Sequence, residues 1–172
     1  MARFDPAPSA LSRDDFVATI GRVYEHSPWI AESLFDHGLK SEHETLDGLA
    51  AAMRAIVESG DKARQLALLR AHPDLAGKLA VAGELTAESR GEQAGAGLDQ
   101  CTPAEFARFH DLNGLYRRRF GFPFILAVKG KKRAEILAAF EGRVGNDPAV
   151  EFRTALDQVH RIAYLRLQDL YR

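Results

Sequence analysis

The sequence predicts an all-α protein, a single compact domain of about eight helices spanning residues 1–172. Three observations carry that expectation. Apolar residues recur at three- and four-residue spacing along most of the 172 residues. Capping residues stand at the ends of those stretches. Alternating apolar and polar runs of the strand type are nearly absent. The length suits one domain of about 100–200 residues that buries its own core.

The elements follow in order. Ser12 to Asp15 resembles a capping box ahead of Phe16, Ile20, Val23 and Tyr24. Ser27 followed by Pro28 reads as an N-cap with proline at the first helical position, opening a short helix through Trp29, Ile30 and Leu34. Thr45 caps a stretch with Leu46, Leu49, Met53, Ile56 and Val57. Gly60 ends it, and Asp61 caps the next helix, which carries Leu66 and Leu69. Thr86 starts a helix from Ala87 to about Gly95, inside the Gly-rich stretch Gly91 to Gly97. Thr102, Pro103 and Glu105 form a capping box that launches Phe106, Phe109, Leu112, Leu115 and Tyr116. Gly121 to Pro123 breaks that helix. Lys132 to Arg143 reads as a helix, and Asp147 with Pro148 opens the last one. The apolar run Phe122 to Val128 does not declare its period. A lone strand would have no partner here, so the run reads as an extended segment crossing the core.

Composition excludes several classes. Hydrophobic residues make up 46% and charged residues 27%, so the chain is globular rather than disordered. Lys plus Arg number 23 against 24 Asp plus Glu, a net charge of -1, which gives no footprint for nucleic acid or an anionic membrane. Arg117 to Arg119 and Lys129 to Arg133 then read as solvated surface. The longest apolar run falls far below the roughly 20 residues of a membrane span. Cys101 is the single cysteine, which leaves no internal disulfide and no multi-cysteine metal site. The N-terminus lacks the apolar stretch of a secretory signal, and Leu170 to Arg172 is not a peroxisomal tail. The expected setting is the cytoplasm. His26, His37 and His43 show no metal-binding spacing, and His160, beside Arg161, is expected on the outer side of the last helix.

Three polar features stand where an ordinary helical domain would not need them. His72 opens the segment His72 to Gly77 just past an apolar helix, with Pro73 forcing extended geometry; alternatively Asp74 merely caps the next helix. Ser89, Glu92 and Gln93, at i, i+3 and i+4, share one helical face and offer a hydroxyl, a carboxylate and an amide to a polar heterocycle, or simply to solvent. Arg166 falls on the stripe Phe152, Leu156, Val159, Ala163 and Leu170 of the last helix. A guanidinium aimed at a core needs an anion, either a protein carboxylate or a ligand.

Taken in order, these segments resemble the 2-oxo-4-hydroxy-4-carboxy-5-ureidoimidazoline (OHCU) decarboxylase family of uric acid degradation. The pieces are Val23 to Glu32, His72 to Gly77, Leu85 to Ser89 with Glu92 and Gln93, Leu112 and Asn113, Tyr116, Arg119 to Phe124, and Leu165 to Leu170. The resemblance implies an all-α enzyme without metal or organic cofactor, a homodimer acting on a small-molecule substrate and yielding S-allantoin. It places the catalytic histidine on His72 and its carboxylate on Glu92. It places substrate contacts on Pro73, Ser89, Arg90, Gly91, Gln93, Phe124, Ile125, Leu126, Ala127, Val128 and Arg166. Backbone groups of Phe124 to Val128 are expected to donate hydrogen bonds, with the Phe124 ring excluding water. Two other readings compete. One is a helical ligand- or protein-binding module using the Ser89 to Gln93 face. The other is a metal hydrolase using His72, Asp74 and Glu92.

Overall fold

The computed structural model describes residues 2–172, the side chain of Leu79 apart. The described residues form nine α-helices and four short 3-10 helices, and their only β pairing is an isolated bridge between Phe4 and Tyr171. All-α is therefore the observed class. Contacts divide the chain into two compact units. One comprises the chain up to Ala71 together with His160–Arg172, and the other comprises His72–Val159.

The first unit holds α1 (Arg13–Ile20), α2 (Trp29–His37), α3 (Leu46–Ser59) and α4 (Lys62–Arg70). The Ser12 hydroxyl oxygen accepts the Asp15 N–H at 3.2 Å, Thr45 accepts from Gly48 at 3.1 Å, and Asp61 accepts from Arg64 at 2.8 Å, so these three caps work as expected. Ser27 does not cap α2. Its hydroxyl donates to the Glu25 carbonyl at 2.9 Å, and the helix begins at Trp29 with Pro28 in the N-cap position and no side-chain cap. Helix α2 packs on α1 and α3, and α3 packs on α4. Leu49, Met53 and Val57 bury one face of α3. Trp29 is half-buried, with the Arg64 guanidinium 5.4 Å from its ring. The unit also takes the C-terminal part of α9 (Pro148–Leu170), where Ile162, Ala163 and Leu167 are buried. There the apolar stripe runs on through Leu167, leaving Leu170 38% exposed.

The second unit holds α5 (Lys78–Ala82), α6 (Ala87–Gly95), α7 (Pro103–Phe120), α8 (Arg133–Arg143) and the first part of α9. The capping box of α7 is complete: Thr102 accepts the Glu105 N–H at 3.1 Å, and Glu105 accepts the Thr102 N–H at 3.2 Å. Gly121 ends α7 in the left-handed conformation, φ 78°. Asp147 accepts the Ala149 N–H at 2.9 Å at the start of α9. Phe109, Leu112 and Tyr116 form the buried face of α7. Leu115, about 100° round the helix from Tyr116, is left exposed, as is Phe106 in the first turn. Tyr116, Phe124 and Phe140 make an aromatic core; Phe124 stacks on Phe140 with centroids 3.9 Å apart. Phe122 to Val128 is irregular and largely buried, as an extended core segment should be.

Candidate active site

His72 lies in the loop before α5 and is 6% exposed. That loop has no secondary-structure ladder, so its backbone groups need side-chain partners. Helices α6 and α7 supply them. Gln93 accepts the Ala76 N–H at 3.0 Å through Oε1 and donates to the Asp74 carbonyl at 3.2 Å through Nε2. Asn113 donates to the Leu75 carbonyl at 3.0 Å. Arg117 donates to the Asp74 carboxylate at 2.9 Å. The bracing is needed because Ala76 has φ +49°, a left-handed conformation costing an alanine roughly 1–3 kcal/mol. Gly77 follows where a Cβ would lie 2.6 Å from the Asp74 Cβ, so the loop tolerates no side chain there.

Asp74 therefore does not cap α5. That helix starts at Lys78, four residues on, and the carboxylate faces Arg117 instead. Gln93, expected as a substrate contact, has both ends of its amide engaged with the loop that carries His72.

The polar face of α6 forms as its spacing required. Ser89 and Gln93 are each 5% exposed, and Glu92 is half-buried beside them. The loop and this face meet through Gln93. Arg90 and Gly91 lie on the open side of α6: Arg90 is exposed and donates to the carbonyls of Gly83 at 3.0 Å and Leu85 at 3.4 Å. Pro73 is half-buried.

The Phe124 to Val128 segment is held from α8 and α9. Arg143 donates to the Ile125 carbonyl at 2.7 Å, and its guanidinium lies 4.4 Å from the Phe124 ring. Gln158 accepts the Ala127 N–H at 2.9 Å, so that donor is spent on the protein. The Phe124 ring, 1% exposed, belongs to the aromatic core. It packs against Tyr116 and Phe140. Leu126 is the half-buried member of the segment, between the buried Ile125 and the buried Ala127 and Val128.

Helix α9 explains Arg166 in the first unit. Arg166 is 7% exposed and donates to the Glu25 carboxylate at 2.8 Å, with the Arg22 carbonyl at 3.4 Å. The anion its position demanded is thus a protein carboxylate, itself 2% exposed. His160 is not on the outer side of the helix. It is 6% exposed, with Nδ1 2.8 Å from the Tyr24 hydroxyl and Nε2 3.0 Å from Glu58. A neighbouring Arg161 says nothing about the face of residue 160, which is 100° away round the helix. Burial pushes the Tyr24 phenol well above its usual range, so at neutral pH it is a hydroxyl able to donate to His160.

Two buried acids escaped the sequence reading. Glu25 lies in a non-helical stretch that periodicity does not address. Glu151 was findable: it stands four residues before Ala155 and eight before Val159, on the apolar face of α9, as Arg166 does. It is fully buried and accepts from Tyr116 at 2.5 Å, Arg143 at 2.7 Å and Asn146 at 3.1 Å.

Among the described residues, no three His, Cys, Asp or Glu side chains are gathered as metal ligands, and none of the helices is long and apolar enough to cross a membrane.

Known proteins resemble this chain over most of its length. The OHCU decarboxylase family profile matches residues 9–168. The 2-oxo-4-hydroxy-4-carboxy-5-ureidoimidazoline decarboxylase of Haloferax volcanii is 45% identical over 161 residues, 94% of this chain and 92% of that protein. Among solved structures, an (S)-allantoin synthase superposes with a TM-score of 0.73 at 38% identity, covering 95% of this chain and 52% of that longer one. An OHCU decarboxylase crystallised in the presence of (S)-allantoin superposes with a TM-score of 0.68 at 25% identity, covering 87% of this chain and 94% of that one. The chain belongs to the OHCU decarboxylase family.

Proposed function

We propose that this chain decarboxylates 2-oxo-4-hydroxy-4-carboxy-5-ureidoimidazoline to S-allantoin in uric acid degradation, with His72 and Glu92 as the acid/base pair. The observation that supports it is the buried His72, on a loop fastened through Gln93 to the helix face that carries Ser89 and Glu92.

In the reaction, the bond from ring carbon to carboxylate breaks and carbon dioxide leaves. The electron pair moves toward the adjacent ring imine, whose nitrogen takes a proton. The resulting enol loses its O–H proton while the neighbouring carbon gains one from a single face, which yields one enantiomer. The substrate holds its own electron sink, so the reading needs neither metal nor organic cofactor. His72 suits the proton transfers because imidazole titrates near neutral pH. Glu92 orients the imidazole or shares its proton. Ser89 hydrogen-bonds the ureido and ring groups. Arg166 holds an anionic or carbonyl oxygen, its fork oriented by Glu25. A cytoplasmic homodimer is the proposed working form; light scattering on the purified protein decides the dimer, and cell fractionation decides the compartment.

Replacing His72 with Ala is expected to abolish turnover with helical content intact, and Glu92→Gln to lower kcat by about 100-fold or more. Full activity of folded His72→Ala protein would overturn the assignment. A surface-exposed Arg166 would have supported the binding-module reading, and this arginine is buried.

A further inference from the structure

The Phe124 to Val128 segment carries no secondary-structure ladder, yet its backbone is fixed at Ile125 and Ala127 and its first ring is covered by a cation. Arg143 supplies two of these three restraints. It spans the segment and the fully buried Glu151, with Nε 2.7 Å from Oε1 and Nη1 2.7 Å from the Ile125 carbonyl oxygen. Tyr116 and Asn146 complete the shell of Glu151. Burying an ion pair is a poor route to stability alone, because desolvation offsets most of the attraction. What this pair provides is geometry. A guanidinium is a planar fork, so once Glu151 fixes one edge, the other edge fixes the Ile125 carbonyl, and the plane lies over Phe124.

We propose that Arg143 is a positioning residue for the substrate-binding segment Phe124 to Val128, acting through the Ile125 carbonyl and the Phe124 ring without touching substrate. The proposal rests on the reading that this segment binds substrate. Glu151 is in turn the group that orients Arg143, and Gln158 secures the far end of the segment through Ala127.

The test is Arg143→Lys, which keeps a positive charge beside Glu151 but has no fork. Ile136→Val, a buried apolar change in the same helix, serves as the stability control. Two readouts are taken: steady-state kinetics, and amide hydrogen exchange across residues 124–128. Arg143→Lys is expected to raise KM about tenfold, with kcat within about threefold, and to speed exchange in the segment about tenfold relative to the rest of its unit. Ile136→Val is expected to leave KM and the relative exchange unchanged. If the lysine variant does not fold, Arg143→Met combined with Glu151→Met removes both charges of the pair together and is read the same way. A folded variant with wild-type exchange overturns the proposal, as does faster exchange with wild-type KM or a KM rise matched by Ile136→Val. Wild-type protein that forms no S-allantoin overturns the decarboxylase reading instead, and exchange still decides whether Arg143 holds the segment.

Discussion

Gln93 separates two roles that sequence alone gives as one. As a substrate contact, its loss would weaken binding and leave the fold alone. As the brace of the His72 loop, its loss would cost stability. Gln93→Met keeps the length and approximate volume while removing both hydrogen bonds. The Ala76 N–H, on a residue 4% exposed, would lose its acceptor, at about 1–3 kcal/mol. The Asp74 carbonyl would lose a donor worth about 0.5–1.5 kcal/mol. The sum, about 1.5–4.5 kcal/mol, is a large share of the roughly 5–15 kcal/mol that holds a domain together. Equilibrium urea unfolding reads it as a midpoint lowered by about 1–2 M. Because the loop carries His72, kcat is expected to fall as well, measured where the variant is fully folded. A midpoint within error of wild type, with KM raised and kcat unchanged, would refute the brace.

Two further expectations concern ion pairs. Glu25→Ala leaves Arg166 buried without its carboxylate and is expected to cost about 3–5 kcal/mol in urea unfolding, while Glu25→Met with Arg166→Met recovers most of that loss; a single variant as stable as wild type would show that the pair is not coupled. Glu105 has its carboxyl held below the usual range, first by the hydrogen bond from Arg133 and then by the Thr102 N–H. A depressed carboxyl contributes stability that is complete above its unfolded value and is lost as pH falls through its folded one. The difference in Tm between wild type and Glu105→Gln is therefore expected to be full at pH 7 and to shrink as pH drops below about 4.5, the ordinary glutamate value. A difference constant from pH 7 to pH 3 would contradict it.

Local chemistry made most of the fold legible. Thr45, Asp61, Thr86, Thr102 and Asp147 each cap the helix that their position announces, since an N-cap bond reaches only two or three residues. Ser27 does not cap because its hydroxyl is spent on the Glu25 carbonyl, which leaves Pro28 in the N-cap position. The polar features were legible in part: the Ser89, Glu92 and Gln93 face follows from helical spacing, and the buried Arg166, by itself, from its place on an apolar stripe. What the sequence did not show is pairing across long separations. Arg166 meets Glu25 141 residues away, and Tyr116 meets Glu151 35 residues away. No periodicity encodes which buried charge meets which. Gln93 was expected to face a ligand for the same reason: its helix face is readable, but the loop that claims its amide is not.

The decisive measurement is stereochemical. The ureidoimidazoline is generated in place from urate by urate oxidase and hydroxyisourate hydrolase, this protein is added with a chelator present, and circular dichroism follows the product. Rapid accumulation of S-allantoin is the predicted result, with His72→Ala falling to the spontaneous rate. Slow racemic allantoin at that same spontaneous rate from folded wild-type protein would contradict the assignment.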